Sequence, residues 1–418
     1  MRVNQLSEMC ELIVDCPHFT PEWTEEGFIV VRNQNIKNGR LDLSQPSFTS
    51  EIDFKRRVSR AKPQPGDLIL TREAPMGEVC LIPEGVECCL GQRQVLLRSA
   101  AGVEPRYLFY ALRSEYVQRQ ILWNQGTGST VSNVRIPILK AIQIPRLGRH
   151  EESIARLLGA LDEKIEANRR MNETLETMAR VLFRDWFIDF GPTRAKMQGR
   201  DPYLASDVWS LFPARLADTG IPEEWGVSTV SEEFQLLMGQ SPPGDTYNDV
   251  ENGLPFFQGS TDFGFRFPTN RKYCSAPTRV AKRGDTLVSV RAPVGDVNQA
   301  ASECCIGRGL AAIRHNSGSQ SFTYYSAWAI RDQLEAFEGT GTVFGSISKK
   351  QFEKLRVVAV EQQTISSFER IVSCLDTEIA ELHDQAKVLS SLRDLLLPRL
   401  MSGALRIRDA ERMVEAAV

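Results

Sequence analysis

The chain is poor in the groups that usually carry catalysis. Its 418 residues hold four histidines, His18, His150, His315 and His383, scattered too widely to form an acid–base pair by local sequence. There is no Gly-x-x-x-x-Gly-Lys-Ser/Thr phosphate loop. There is no Gly-x-Ser-x-Gly elbow or His-Glu-x-x-His pair, and no Asn-Pro-Pro-aromatic tetrapeptide of the kind that holds a flipped base. These absences weigh against an enzyme. No apolar run approaches the roughly 18–20 residues that span a bilayer. Met1 to Glu11 lacks a basic stretch followed by an apolar one, so no secretory leader is expected. The nine cysteines are odd in number and none lies in a Cys-x-x-Cys pair. A reduced, intracellular and hence cytoplasmic setting fits. Cys88-Cys89 and Cys304-Cys305 read as buried strand residues rather than metal ligands, because no histidine or second thiol pair follows at ligand spacing.

An excess of basic charge is also missing: the chain carries −3. Its distribution is uneven. Residues 151–190 carry −3 and residues 361–397 carry −4, which leaves +4 on everything else. Two acidic segments and a basic remainder separate a protein-facing surface from one that could meet phosphates.

What the chain has is a repeat. Gly66-Asp67-Leu68-Ile69-Leu70-Thr71 and Ala74-Pro75-Met76-Gly77-Glu78-Val79 return as Gly284-Asp285-Thr286-Leu287-Val288-Ser289 and Ala292-Pro293-Val294-Gly295-Asp296-Val297. Glu87-Cys88-Cys89 with Gly91 returns as Glu303-Cys304-Cys305 with Gly307, and Gly126-Thr127-Gly128 as Gly339-Thr340-Gly341. The displacement, 218 positions from Gly66 to Gly284, is far beyond the ~20–50 residues of a solenoid. It describes two copies of one domain-plus-helix unit.

Residues 1–150 alternate short β-like runs with Gly, Pro and Asn, and include a helix predicted from Pro105 to Leu122. Residues 226–360 repeat the pattern, with Phe322 to Ala336 as the matching helix. Residues 151–190 and 361–405 read as long helices, and 191–225 as a linker with short turns of structure. Leu161, Ile165, Asn168, Asn172, Leu175, Ala179, Leu182 and Trp186 step by alternating fours and threes, a heptad seam. The second seam, Leu375, Ile379, Leu382, Ala386, Leu389, Arg393, Leu396 and Leu400, lies 214 positions on, with Pro398 expected to break the last turn. Such stripes pack on their own domain, on each other, or on a partner. Two matching stripes favour an intramolecular pair, with Asn168 and Asn172 fixing register. Glu151 and Glu152 suit the positive end of the first helix dipole, and Gly191-Pro192 is its expected stop.

Each copy carries a basic run ahead of its Gly-Asp strand. The first holds Lys55, Arg56, Arg57, Arg60 and Lys62, and the second Arg266, Arg271, Lys272, Arg279, Lys282 and Arg283. Such cations could neutralise phosphates. Asn33, Gln34 and Asn35, with Gln92, Arg93 and Gln94, are types able to read adenine or guanine edges.

At this point the chain resembles the specificity subunit of type I restriction–modification systems. The stretches that carry the likeness are His18-Phe19-Thr20-Pro21 through Asn35-Ile36-Lys37-Asn38-Gly39 and Tyr273-Cys274-Ser275-Ala276-Pro277-Thr278 to Gly295-Asp296-Val297. Asp162-Glu163-Lys164-Ile165-Glu166-Ala167-Asn168 to Glu176 and Leu395-Leu396-Leu397-Pro398-Arg399-Leu400-Met401-Ser402-Gly403 complete it. The resemblance implies an α+β chain: two target recognition domains joined by two long antiparallel coiled-coil helices with pseudo-twofold symmetry. Each domain would read one half of a bipartite, asymmetric site in double-stranded DNA. The helices would set the spacer and dock two methyltransferase subunits, with motor-nuclease subunits joining for restriction. The chain itself would be non-catalytic, with S-adenosylmethionine, ATP and magnesium bound by those partners and no membrane involved. The competing reading is a two-headed protein-interaction scaffold that never meets DNA.

Overall fold

The computed structural model describes residues 2–123, 133–338 and 345–416. The repeated Gly126-Thr127-Gly128 and Gly339-Thr340-Gly341 lie outside them. The chain forms two compact units, residues 1–169 with 383–418, and residues 170–382.

In the first unit, Cys10–Asp15, Gln94–Ser99, Leu68–Thr71 and Val79–Leu81 form an antiparallel sheet in that order. A second sheet runs Cys88–Leu90, Phe28–Val31, Ser47–Thr49, Trp23–Thr24, with its first two strands parallel. Arg2–Gln5 pairs with Gln143–Arg146. The second unit repeats this order. Phe234–Met238, Leu310–His315, Thr286–Val290 and Val294–Gln299 make the antiparallel sheet. Leu254–Phe257 runs parallel to Cys304–Ile306 in the other, and Gly226–Thr229 pairs with Arg356–Ala359.

The repeated motif is an anchor for this sheet. Gly66 and Gly284 both take φ +85°, a left-handed value that favours glycine. The aspartate that follows then accepts a backbone N–H three residues back. Asp67 accepts from Gln64 at 2.9 Å and Asp285 from Lys282 at 2.7 Å. An arginine on the neighbouring strand closes each carboxylate, Arg98 on Asp67 at 2.8 Å and Arg314 on Asp285 at 2.9 Å. At the strand's far end the hydroxyl of Thr71 accepts from Glu78 N–H, and that of Ser289 from Asp296 N–H. The Ala74-Pro75 and Ala292-Pro293 bonds are both cis. The motif is thus a structural clamp built twice.

The predicted recognition-domain helices are each broken in two. Pro105–Arg113 gives way to Glu115–Trp123 at Ser114, whose hydroxyl donates to Ala111 O, and Gln320–Ala329 gives way to Arg331–Glu335. A hydroxyl bonding back to the preceding turn competes with the helical ladder.

The long helices span Glu151–Phe187 (37 residues) and Gln362–Met401 (40 residues), about 55 and 60 Å at ~1.5 Å per residue. Glu151 accepts from Leu147 and Gly148 N–H, tying the entering chain to the first turn as well as suiting the helix dipole. In the first unit the N-terminal half of one helix runs antiparallel to the C-terminal half of the other, Asn168 donating to Gln385 at 2.6 Å and Arg393 reaching Asp162. Every seam residue is buried or half-buried, and Asn168 and Asn172 are 2% and 5% exposed.

Two helix-end expectations are corrected. The second helix runs through Pro398 to Met401, and Pro398 is exposed there. Gly191-Pro192 does more than stop the first helix: it opens a new one, Gly191–Met197, with proline in the first turn, where its missing N–H costs nothing. Residues 191–225 bury Pro192, Thr193, Ala195, Val208, Phe212 and Trp225, and Val208, Phe212 and Trp225 pack with Phe183, Trp186 and Phe187 in the second unit's core. The stretch is therefore a packed part of that unit.

Candidate nucleic-acid interface

In the first unit three loops meet where strands end. Strand Phe28–Val31 runs into a turn at Asn33–Asn35, and Gly91 N–H bonds back to Val31 O. Asn33 donates to Glu73 O at 2.5 Å, and Arg93 pairs with Glu73 at 3.3 Å. Gln92 donates to His18 O and Thr20 Oγ1. Arg32 lies 5.3 Å over the exposed ring of Trp23. Gln34 is exposed, whereas Asn35 and Gln94 are buried. Asn35 is held by Asp42 O and Arg32 N, and Gln94 accepts from Gly91 N–H. Of the six base-reading types, those two are structural.

The second unit builds the same place with other side chains. Gly307 N–H bonds to Phe257 O, Gly309 N–H to Gln258 O, and Val290 N–H to Gly309 O. Gln258 and Ser241 exchange hydrogen bonds. Arg291 and Arg308 are exposed and hold no ion pair among the described residues. Both were missed in the sequence. The repeat offers the signal, since Glu73 maps onto Arg291 at the 218 offset and Gln92 onto Arg308 through Gly91/Gly307.

The basic runs differ in availability. In the first, Lys55 pairs with Glu51 at 2.6 Å, Arg56 with Asp53 at 3.0 Å, and Lys62 with Glu87 at 2.5 Å. Only Arg60 is exposed without an ion pair among the described residues of that run. Arg57 is a correction. It is 3% exposed and donates to the carbonyls of Leu90, Phe19 and Pro17, so it holds the domain together and cannot reach a phosphate. In the second run Arg271 pairs with Asp262 and Lys272 with Asp249. Arg279, Lys282 and Arg283 are exposed and hold no ion pair among the described residues.

Arg266 is the second correction. It is 1% exposed, its guanidinium 3.5 Å over Tyr324 and 2.8 Å from Asp376 on the second long helix, with Glu176 at 3.6 Å. Burial disfavours its charge, but Tyr324, Asp376, Tyr325 and Glu176 outweigh that and hold it above the ordinary arginine value. It is spent on the protein's interior.

Burial pushes the Cys88 and Cys304 thiols up to about 12, so neither is a thiolate at neutral pH. Among the described residues, no group of three or more His, Cys, Asp or Glu side chains is placed to hold a metal. No helix among them is long and apolar enough to cross a membrane.

A family described as Type I restriction modification DNA specificity domain matches residues 1–177. A Methanocaldococcus jannaschii protein provisionally named type I restriction enzyme MjaX specificity subunit is 26% identical over 418 residues, covering 97% of this chain and 94% of that protein. Residues 1–177 thus match that family, and nearly the whole chain is similar to a type I specificity subunit. The Haemophilus influenzae type I restriction enzyme HindI specificity subunit is 24% identical over 364 residues, covering 72% of this chain and 77% of that one. The crystal structure of the type I S subunit from M. genitalium covers 96% of this chain and 95% of its own at a TM-score of 0.56 and 17% identity, and so shares the fold.

Proposed function

We propose that this chain is a type I specificity subunit that reads a bipartite, asymmetric site in double-stranded DNA, one half with each unit. The observation that carries the reading is one scaffold built twice with different side chains at equivalent loop positions. Asn33, Glu73 and Gln92 stand where the second unit has Gly259, Arg291 and Arg308. Conserved backbone with exchanged polar groups is what two different base sequences require. Arg60 in one unit and Arg279, Lys282, Arg283, Arg291 and Arg308 in the other, exposed and without an ion pair among the described residues, supply phosphate contacts. Asn33, Gln34, Gln92 and Arg93 are the first unit's candidates for base contact.

The subunit is non-catalytic, and methyl transfer and cleavage belong to partner subunits in the cytoplasm. S-adenosylmethionine, ATP and magnesium are theirs. The long helices set the spacer and dock two methyltransferase subunits, with motor-nuclease subunits completing the assembly. Support for helix docking comes from Met171, Met178 and Val181, which are 50%, 54% and 61% exposed along one face of the first helix. Sequencing methylated adenines in cells carrying this gene and its methyltransferase partner tests the reading. A bipartite motif is expected, and exchanging residues 1–150 for a relative's should change one half only. The scaffold reading instead expects no methylation pattern to follow this gene, and no binding to random duplex at low salt.

A further inference from the structure

In each unit one aspartate of a long helix grips the recognition domain. The two, Asp162 and Asp376, are 214 positions apart, the offset that relates the two seams. Tyr110, on helix Pro105–Arg113, donates to Asp162 at 2.6 Å. Tyr325, on helix Gln320–Ala329, donates to Asp376 at 2.8 Å. An arginine completes each group, Arg393 on Asp162 at 2.6 Å and Arg266 on Asp376 at 2.8 Å. Arg266 also donates to the Tyr325 hydroxyl at 3.1 Å. Each tyrosine belongs to a recognition domain and each aspartate to a helix, so both bonds cross a joint. Much of each joint is apolar, and apolar packing is non-directional, letting surfaces slide. Charge-assisted hydrogen bonds are directional and fix an angle.

We propose that Tyr110–Asp162–Arg393 and Tyr325–Asp376–Arg266 are positioning clasps. They hold each recognition domain at one angle on the helices of its own unit, and so set how strictly the spacer between the half-sites is selected. This rests on the specificity-subunit reading. One base pair more or less turns one half-site by roughly 35° about the DNA axis relative to the other. A stiff joint rejects that change and a loose one follows it. Tyr110 and Tyr325 are 2% and 1% exposed, so their hydroxyls cannot act by touching DNA.

The test uses the complex with its methyltransferase subunits and duplexes carrying the mapped half-sites with the native spacer, one base pair fewer and one more. Y325F and Y110F each delete one hydroxyl and keep the ring. The preference for the native spacer, as a ratio of methylation rates, should fall about tenfold in Y325F, the scale of one charge-assisted hydrogen bond. It should fall less in Y110F, with half-site sequences unchanged in both. D376N should relax the spacer further, and if it does not fold, the phenylalanine variants decide. Rates falling equally on all three duplexes would leave the clasps with a stabilising role only and overturn the proposal. A wild-type complex that methylates a scrambled duplex as fast as the mapped one would instead overturn the specificity-subunit reading beneath it.

Discussion

Around Asp376 the cation is Arg266, drawn from the recognition domain's own loop and 1% exposed, with Glu176 beside it at 2%. Around Asp162 it is Arg393, drawn from the second long helix, with side chains 12% and 29% exposed. The second unit's joint has more besides. Glu369, on the second long helix, accepts from the N–H groups of Gln320, Ser321 and Phe322, capping the recognition-domain helix from outside. Arg180 lies 3.5 Å over Trp328 and pairs with Glu176. In the first unit Arg106–Glu163 and Arg40–Glu166 cross the joint in more exposed positions, and Arg146–Glu151 ties the helix start more deeply. One repeat position has kept its carboxylate while the arginine that neutralises it has changed its source. The shared element is the anion, and the surroundings decide how deeply it is sealed.

Depth sets the cost of breaking each joint. Asp376→Ala would leave Arg266 buried with Glu176 as its remaining carboxylate, a loss of about 3–5 kcal/mol. Asp162→Ala removes a half-exposed partner and should cost about 1–2 kcal/mol. Urea unfolding of the two variants measures both, and equal losses would erase the contrast between the joints.

The two basic runs look alike in sequence but should differ in effect. Replacing Arg279, Lys282 and Arg283 by Ala should lower the slope of log K against log salt by up to ~0.9 per lost contact on any duplex. Replacing Lys55 and Arg56, already paired with Glu51 and Asp53, should lower it less. A larger effect from the paired cations would show that those ion pairs open on DNA.

A smaller, pH-dependent difference is expected from His315, which sits between Phe234 and Phe322 at 4.9 Å from each. Burial holds its imidazole below the ordinary histidine value, with Glu233 opposing. The unfolded chain therefore takes up the proton first. Its contribution is complete above the ordinary histidine pKa of about 6.5 and is lost as pH falls below it. Thermal melts between pH 7 and 5 should show the second unit losing stability, and His315→Gln should flatten the dependence. An unchanged slope would place the titration elsewhere.

Much of this was legible in the residues. The repeat announced two equivalent units; spacing placed the first seam, because a heptad stripe is a local signal, and the repeat offset placed the second. The helix at Gly191 was not legible, since proline marks both stops and first turns and only packing decides between them. Arg57 and Arg266 were misread for a related reason. A run of cations looks alike whether its members face water or a carbonyl, and Asp376 lies 110 positions beyond Arg266. Arg291 and Arg308 were recoverable had the repeat been followed residue by residue into the loops.

The first unit is discontinuous: its core joins Leu68, Tyr107 and Leu158 to Leu389, Leu396, Leu400 and Ala410. All of residues 170–382 are synthesised before the segment that completes it. The half of the protein encoded second should therefore be able to finish folding first, with the first unit's apolar face left open until residues 383–418 are made. A chain released after Leu382 should show a protease-resistant fragment from the second unit alone. Resistance of residues 1–150 in that truncated chain would mean that the first unit does not depend on its late segment.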